Sequence, residues 1–241
     1  RIDRAYDDGE RMVTTPPYTA YLKIAEGCSN GCAFCIIPKL RGRYRSRTMD
    51  HLLEEAKSLA DSGVKELIVI AQDITRYGSD LGDGTTLAGL LKELCKLPFH
   101  WIRLHYLYPE AITDELVEVI ASEKKIVHYL DIPIQHCNDG ILKAMRRRNT
   151  KAELEELFAR LRKAIPDVVI RTSLICGLPG EGEAEFEELC EFLKEQKLQR
   201  AGVFQFSPEE GTLAEKMENQ VDPDVAARRV ELVVDLQSRI M

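Results

Sequence analysis

Three thiols fall within one eight-residue stretch, Cys28-Ser29-Asn30-Gly31-Cys32-Ala33-Phe34-Cys35. Thiolates are soft ligands, suited to zinc and to iron–sulfur clusters. Three is one short of the four that close a structural zinc site or a four-iron cluster. The missing ligand leaves one metal open to a substrate or cofactor. The competing readings are a zinc site completed by a remote Cys or His, and thiols simply buried as core. Three unrelated cysteines rarely fall at this spacing, which favours a cluster. Gly31 lets the loop wrap and turns backbone N–H groups toward sulfur.

Stepping out from the loop, the surrounding chain has the pattern of a scaffold. Tyr18 to Ala25 is rich in strand formers, Gly27 to Thr48 is predicted as a long loop, and Met49 to Ser62 carries a helical stripe of Leu52, Leu53, Ala56, Leu59 and Ala60. The alternation then recurs: strands over 66–71, 101–107, 128–134, 168–175 and 202–206, helices over 87–97, 113–122, 183–196 and 222–241, and a fourth helix in two pieces, 140–145 and 151–164. Thr113 is a predicted N-cap. Six strand–helix units imply an α/β fold with a parallel sheet and right-handed crossovers, a partial (βα)6 TIM-like barrel. An open doubly wound sheet is the alternative, but no Gly-rich phosphate loop follows the first strand. In both, function belongs on the loops after the strands, where the cysteine loop sits.

Composition narrows the class. The 241 residues are 44% hydrophobic and 30% charged, with a net charge of -7. This suits a globular chain with a sizeable core and argues against non-specific binding of a polyanion. No apolar run approaches the ~20 residues of a membrane span. Seven cysteines, an odd number without a signal peptide, argue against a secreted disulfide scaffold and for a reducing, cytoplasmic setting. The polar segment 1–17 reads as a linker and 18–241 as the folded domain, with both ends expected to continue into a longer protein.

The motif Cys28-x3-Cys32-x2-Cys35, with Phe34 before the third thiol, resembles the signature of radical S-adenosylmethionine (SAM) enzymes. The resemblance implies the radical SAM type of partial barrel and a 4Fe–4S cluster whose fourth iron chelates SAM. It also implies one-electron cleavage to methionine and a deoxyadenosyl radical that abstracts hydrogen. More narrowly, Tyr21 to Cys28, Phe34 to Pro38, Arg41-Gly42, Ser46-Arg47, Ala71 to Gly78 and Leu178 to Glu181 resemble the methylthiotransferase core. Leu130-Asp131-Ile132-Pro133-Ile134-Gln135-His136 is similar to the RimO branch, which modifies an aspartate of ribosomal protein S-twelve. The runner-up is the MiaB-like branch, which modifies a tRNA adenosine; a zinc-stabilised binding module is the reading from another class. Full-length members carry an N-terminal domain with a second 4Fe–4S cluster and a C-terminal TRAM domain, through which nucleic acid would be contacted. Flavodoxin or ferredoxin is the implied electron donor.

The same resemblance nominates cofactor-binding positions, each with a plainer reading beside it. Phe34 adjoins the cluster. Gln72 or Asp73 supplies an acceptor for the SAM ammonium, or caps a turn. Gln135 contacts SAM or substrate, or belongs to a polar loop with His136. Ser173, or Arg171, reaches the ligand if it points into the lumen. Gly177 and Gly180 let the backbone turn and approach a ligand. Phe206 lies on an edge similar to the one that contacts adenine. Arg47 and Arg41 are read as facing an anionic group, whereas Arg43 and Arg45 are read as solvated. Arg146, Arg147 and Arg148 are read as a solvated helix end, Cys95 and Cys190 as core, and Cys137 as a thiol whose ligation would block SAM.

Overall fold

The structure, a computed structural model, describes residues 14–240. Most of the expected linker 1–17 and the final residue of the expected last helix lie outside them. The six long strands belong to one parallel sheet. The chain divides into two compact units. One takes in the described residues up to Ser29 and Ile37–Leu130; the other takes in Asn30–Ile36 and the described residues from Asp131 onward.

In the first unit, β1 (Thr19–Lys23) pairs in parallel with β4 (Glu66–Ile70), β4 with β5 (Trp101–Leu104), and β5 with β6 (Ile126–Asp131). Leu67, Ile68 and Val69 of β4 are all buried, as a parallel strand covered on both faces requires. Helices α2 (Met49–Asp61), α3 (Leu87–Lys96) and α4 (Asp114–Ser122) supply the cover, burying Leu52, Ala56 and Leu59, then Leu90, Leu91 and Leu94, then Leu116, Val119 and Ile120. Their starts are legible. Thr86 accepts from the Gly89 amide and Thr113 from the Leu116 amide, the latter as predicted, each worth about 1 kcal/mol.

In the second unit, β7 (Val169–Cys176) pairs with β8 (Arg200–Gln205) over six residues. Helices α5 (Asp139–Ala144), α6 (Lys151–Ala164), α7 (Glu183–Gln196) and α8 (Pro223–Ile240) complete it, with a capping box at Thr150 and Glu153. The two-piece fourth helix is realised as α5 and α6. No helix among the described residues is long and apolar enough to cross a membrane.

The expected long loop 27–48 is more ordered than predicted. It holds a short helix α1 (Ile37–Arg41), and β3 (Arg45–Ser46) pairs antiparallel with β2 (Ala25–Glu26). Two-residue strands carry no periodicity, so sequence patterning misses them. Gly27 makes the ribbon possible: its φ is +79°, and an added Cβ would lie 2.3 Å from the Arg43 carbonyl oxygen. Gly27→Ala is therefore expected to cost at least about 2 kcal/mol, from left-handed strain plus a backbone clash. Gly82→Ala, at φ +73° with open space around it, should cost only about 1 kcal/mol. Urea midpoints of the two variants, compared at equal slope, check the difference.

Candidate cluster and cofactor site

The boundary between the units runs through the cysteine loop, between Ser29 and Asn30, so each unit anchors its own half. In the first unit the Cys28 amide donates to the Gly42 carbonyl at 3.2 Å, and the Tyr44 amide donates to Ser29 Oγ at 3.1 Å. The Tyr44 hydroxyl donates to the Asp73 carbonyl at 2.8 Å. Burial, and then the nearby Asp73 and Asp80 carboxylates, hold that hydroxyl proton well above the usual phenol range. Tyr44 thus ties the returning strand of the loop to the end of β4.

In the second unit the anchor is Ala33. Its amide donates to the Met145 carbonyl at 2.9 Å, and its carbonyl accepts from the Leu213 and Ala214 amides at 3.0 and 2.9 Å. Its methyl group is buried with Ile141, Met145, Leu178 and Ala214, against which Phe34, Ile175, Phe206 and Met217 pack. The Cys35 amide donates to the Cys32 carbonyl at 3.1 Å, closing the turn between the two thiols. Phe34 and Phe206 are thus both partly buried against the apolar group that supports the cysteine loop.

Arg147, read from sequence as part of a solvated helix end, is a correction. It is buried, its Nη2 donates to the Pro133 carbonyl at 2.7 Å, and its Nη1 reaches Cys32 Sγ at 3.8 Å. The reason is the way α5 ends. The Arg146 amide bonds to the Lys143 carbonyl and the Arg147 amide to the Leu142 carbonyl, with Arg146 left-handed at φ +56°. That Schellman arrangement reverses the chain, so Arg147 turns inward while Arg146 and Arg148 stay exposed.

The remaining candidates separate by what their side chains already hold. Asp73 is fully buried and its carboxylate accepts from the Thr75 amide and hydroxyl and faces Arg76, which makes it a turn former. Gln72 Oε1, by contrast, is buried with no hydrogen-bond donor. Arg47 is held by the Glu55 carboxylate, here at 2.5 Å, and donates to the Lys23 carbonyl at 3.1 Å. Ser173 accepts from Arg171 at 2.9 Å, and Arg171 pairs with the buried Asp131 at 2.6 Å. Gln135 has φ +72°; its amide donates to the Ser173 carbonyl and its carbonyl accepts from the Ile175 amide, both at 2.9 Å. Along β7, Arg171 and Ser173 alternate with buried Ile170, Thr172 and Leu174, so the less buried face of this strand carries polar side chains.

Gly177 turns the chain at φ +83° as expected, but the space a side chain would need is filled by Ala226 of α8, 2.4 Å from an added Cβ. Its lack of a side chain serves close packing of a helix. Sequence reasoning also missed what holds that turn. The buried Glu181 carboxylate accepts the Gly177 amide on both oxygens at 3.0 Å, takes Arg229 Nη1 at 2.9 Å, and lies 3.5 Å from His136 Nε2. His136 is fully buried and its Nδ1 accepts from the Asn138 amide, the structural role weighed for it. Nothing in the sequence marks Arg229 apart from other helical arginines; Glu181 was visible only as the end of the Leu178-Pro179-Gly180-Glu181 motif.

Among the described residues, no three His, Cys, Asp or Glu side chains converge on a single-ion site. In a multi-iron cluster each thiolate takes a different iron, so convergence on one point is not what it needs. The donor set fits such a group: three half-buried thiols on one short loop, with a guanidinium on one sulfur.

Residues 22–193 match the family model of the radical SAM superfamily, and the chain belongs to that superfamily. It is 52% identical, over 240 residues, to "Ribosomal protein uS12 methylthiotransferase RimO" of Caldanaerobacter subterraneus subsp. tengcongensis, covering 99% of this chain and 55% of that protein. The Myxococcus xanthus protein of the same name is 53% identical over 95% of this chain and 48% of its own length. The chain thus spans about half the length of the curated relatives it matches. Among solved structures, coproporphyrinogen III oxidase (HemN) from Escherichia coli aligns with a TM-score of 0.70 at 15% identity, covering 94% of this chain and 54% of that one. The methyltransferase TsrM from Kitasatospora setae, solved with cobalamin and a [4Fe-4S] cluster bound, aligns at 0.64 with 17% identity, covering 78% and 36%. These likenesses establish the fold expected from the strand–helix count, the partial (βα)6 barrel of radical SAM type.

Two outcomes test the site. Burial pushes the thiols of Cys95, Cys137 and Cys176 up to about 12. They stay protonated and inert at pH 8. Iodoacetamide on the metal-free chain should label Cys28, Cys32 and Cys35 well before those three, read by peptide mass spectrometry; faster labelling of Cys137 or Cys176 would contradict the site. Arg229→Met leaves the buried Glu181 charge without its partner and should cost about 3 kcal/mol in a denaturant melt.

Proposed function

We propose that this chain is the radical SAM core of a RimO-type methylthiotransferase. In the whole protein it takes part in placing a methylthio group on the β-carbon of an aspartate of ribosomal protein uS12. The single observation that supports this best is the 52% identity to a RimO methylthiotransferase across 99% of the chain, with the three-thiol loop inside the matched region.

Cys28, Cys32 and Cys35 would hold a 4Fe–4S cluster and leave one iron for SAM. When bound and reduced, the cluster supplies the electron that cleaves the sulfonium C–S bond. The chain's own residues would bind and orient. Gln72 Oε1, buried and without a donor, suits the SAM ammonium better than Asp73, whose carboxylate holds its own turn. Phe34 and Phe206 give the loop an apolar wall that excludes water. Ser173, oriented by Arg171, and Gln135, whose backbone is fixed by β7, would offer polar groups to the cofactor. Gly177, packed against Ala226 and held by Glu181, forms the supporting turn. Arg47, bound to Glu55, positions the loop's return.

Residues 18–241 would be the central domain of a protein about twice as long. A second-cluster domain and a TRAM domain would supply the remainder, a flavodoxin or ferredoxin the electron, and the reducing cytoplasm the setting. Anaerobic reconstitution of the chain should bring about four irons. Each of Cys28→Ala, Cys32→Ala and Cys35→Ala should lose that iron and the SAM cleavage it supports; three variants that all keep a SAM-cleaving cluster would refute the assignment. Alone, the chain should cleave SAM without forming methylthiolated product. Given to the full-length protein separately, uS12 should gain the methylthio mass and tRNA should not; the opposite result would place the chain with the tRNA-modifying branch.

A further inference from the structure

Arg147 brings a guanidinium from outside the loop to a loop sulfur, and nothing in the proposed reaction accounts for it. Its guanidinium is fixed at three levels. The Schellman end of α5 sets the backbone, the Met145 carbonyl beside it receives the Ala33 amide from between Cys32 and Cys35, and Nη2 is held by the Pro133 carbonyl. Nη1 is then left 3.8 Å from Cys32 Sγ. Arginine stays protonated under all working conditions, and its planar fork lets one nitrogen be anchored while the other donates. At 6% exposure the charge is poorly screened by water.

We propose that Arg147 is a positioning residue that sets the reduction potential of the cluster through its N–H···S contact with Cys32. The inference rests on the reading that Cys32 is a cluster ligand. Reduction adds one negative charge to the cluster and its thiolates. A fixed positive charge donating to a ligand sulfur stabilises that reduced form more than the oxidised one, and so raises the potential. Arg146 and Arg148, exposed on either side, have no such effect.

The test is a redox titration of the anaerobically reconstituted chain, in which the cluster takes one electron from dithionite and the reduced form is read by electron paramagnetic resonance. Arg147→Gln should lower the reduced-to-oxidised ratio at a fixed potential about tenfold, a midpoint shift of about 59 mV for one electron. Arg147→Lys keeps the charge but cannot bridge Pro133 and Cys32 together, so its midpoint should fall between the two. Arg148→Gln should titrate like the parent. If Arg147→Gln does not fold, as judged by circular dichroism, the Lys variant decides alone. A Gln or Lys variant that holds parent levels of iron at the parent midpoint overturns the inference. A parent chain that takes up no iron overturns the cluster reading, and this inference with it.

Discussion

The site depends on three backbone hydrogen bonds at Ala33. A loop that carries two thiols three residues apart has no side chains to spare for holding itself in place, because its reactive groups must stay available. Here the backbone does the holding: the Met145 carbonyl takes the Ala33 amide, and the Leu213 and Ala214 amides take its carbonyl. Each such bond is worth only about 1 kcal/mol net, but an unmet buried amide or carbonyl costs more than that, which makes the register exclusive. The small Ala33 side chain is part of the device. It fills the gap between Ile141, Leu178 and Ala214, and a larger residue would lift the thiols off their support.

The same economy explains the buried charges of the second unit. A carboxylate out of water is costly unless its lone pairs are met. Glu181 meets that condition with the Gly177 amide, Arg229 and the nearby His136. In return it fixes the glycine turn that follows β7. Arg171 and Asp131 play a comparable part at the other end of β7, and Ser173 is oriented as a consequence.

The scaffold was legible because its signals are redundant. In α6 a capping box, a helical stripe and basic residues in the last turn agree, and its predicted bounds of 151–164 are those observed. In β4 a short, nearly all-apolar run of β-branched residues and leucine has the length and composition of a strand buried on both faces. The three thiols stand out in the sequence because cysteines rarely fall at that spacing by chance. The interior of the loop was not, since β2 and β3 are two residues each and the ribbon rests on one glycine at φ +79°. The roles of Asp73 and Gln72 were also hidden: adjacent polar residues after a strand look alike until their partners are seen.

Arg147 shows why such cases escape a reading of composition. Three consecutive arginines after a helix carry the pattern of a solvated end, and two of them are solvated. The distinction is made by one backbone conformation, φ +56° at Arg146, which a non-glycine residue adopts at a cost of about 1–2 kcal/mol. Glycine, the usual residue at that position, would remove the cost. With the paired Schellman bonds in place, the left-handed residue is the point where the chain reverses, and the next side chain must face inward. Burying a guanidinium there is tolerable only with oxygen or sulfur acceptors waiting for it. The Pro133 carbonyl and Cys32 Sγ are those acceptors, so the same constraint that hides Arg147 from the sequence also delivers it to the thiol loop.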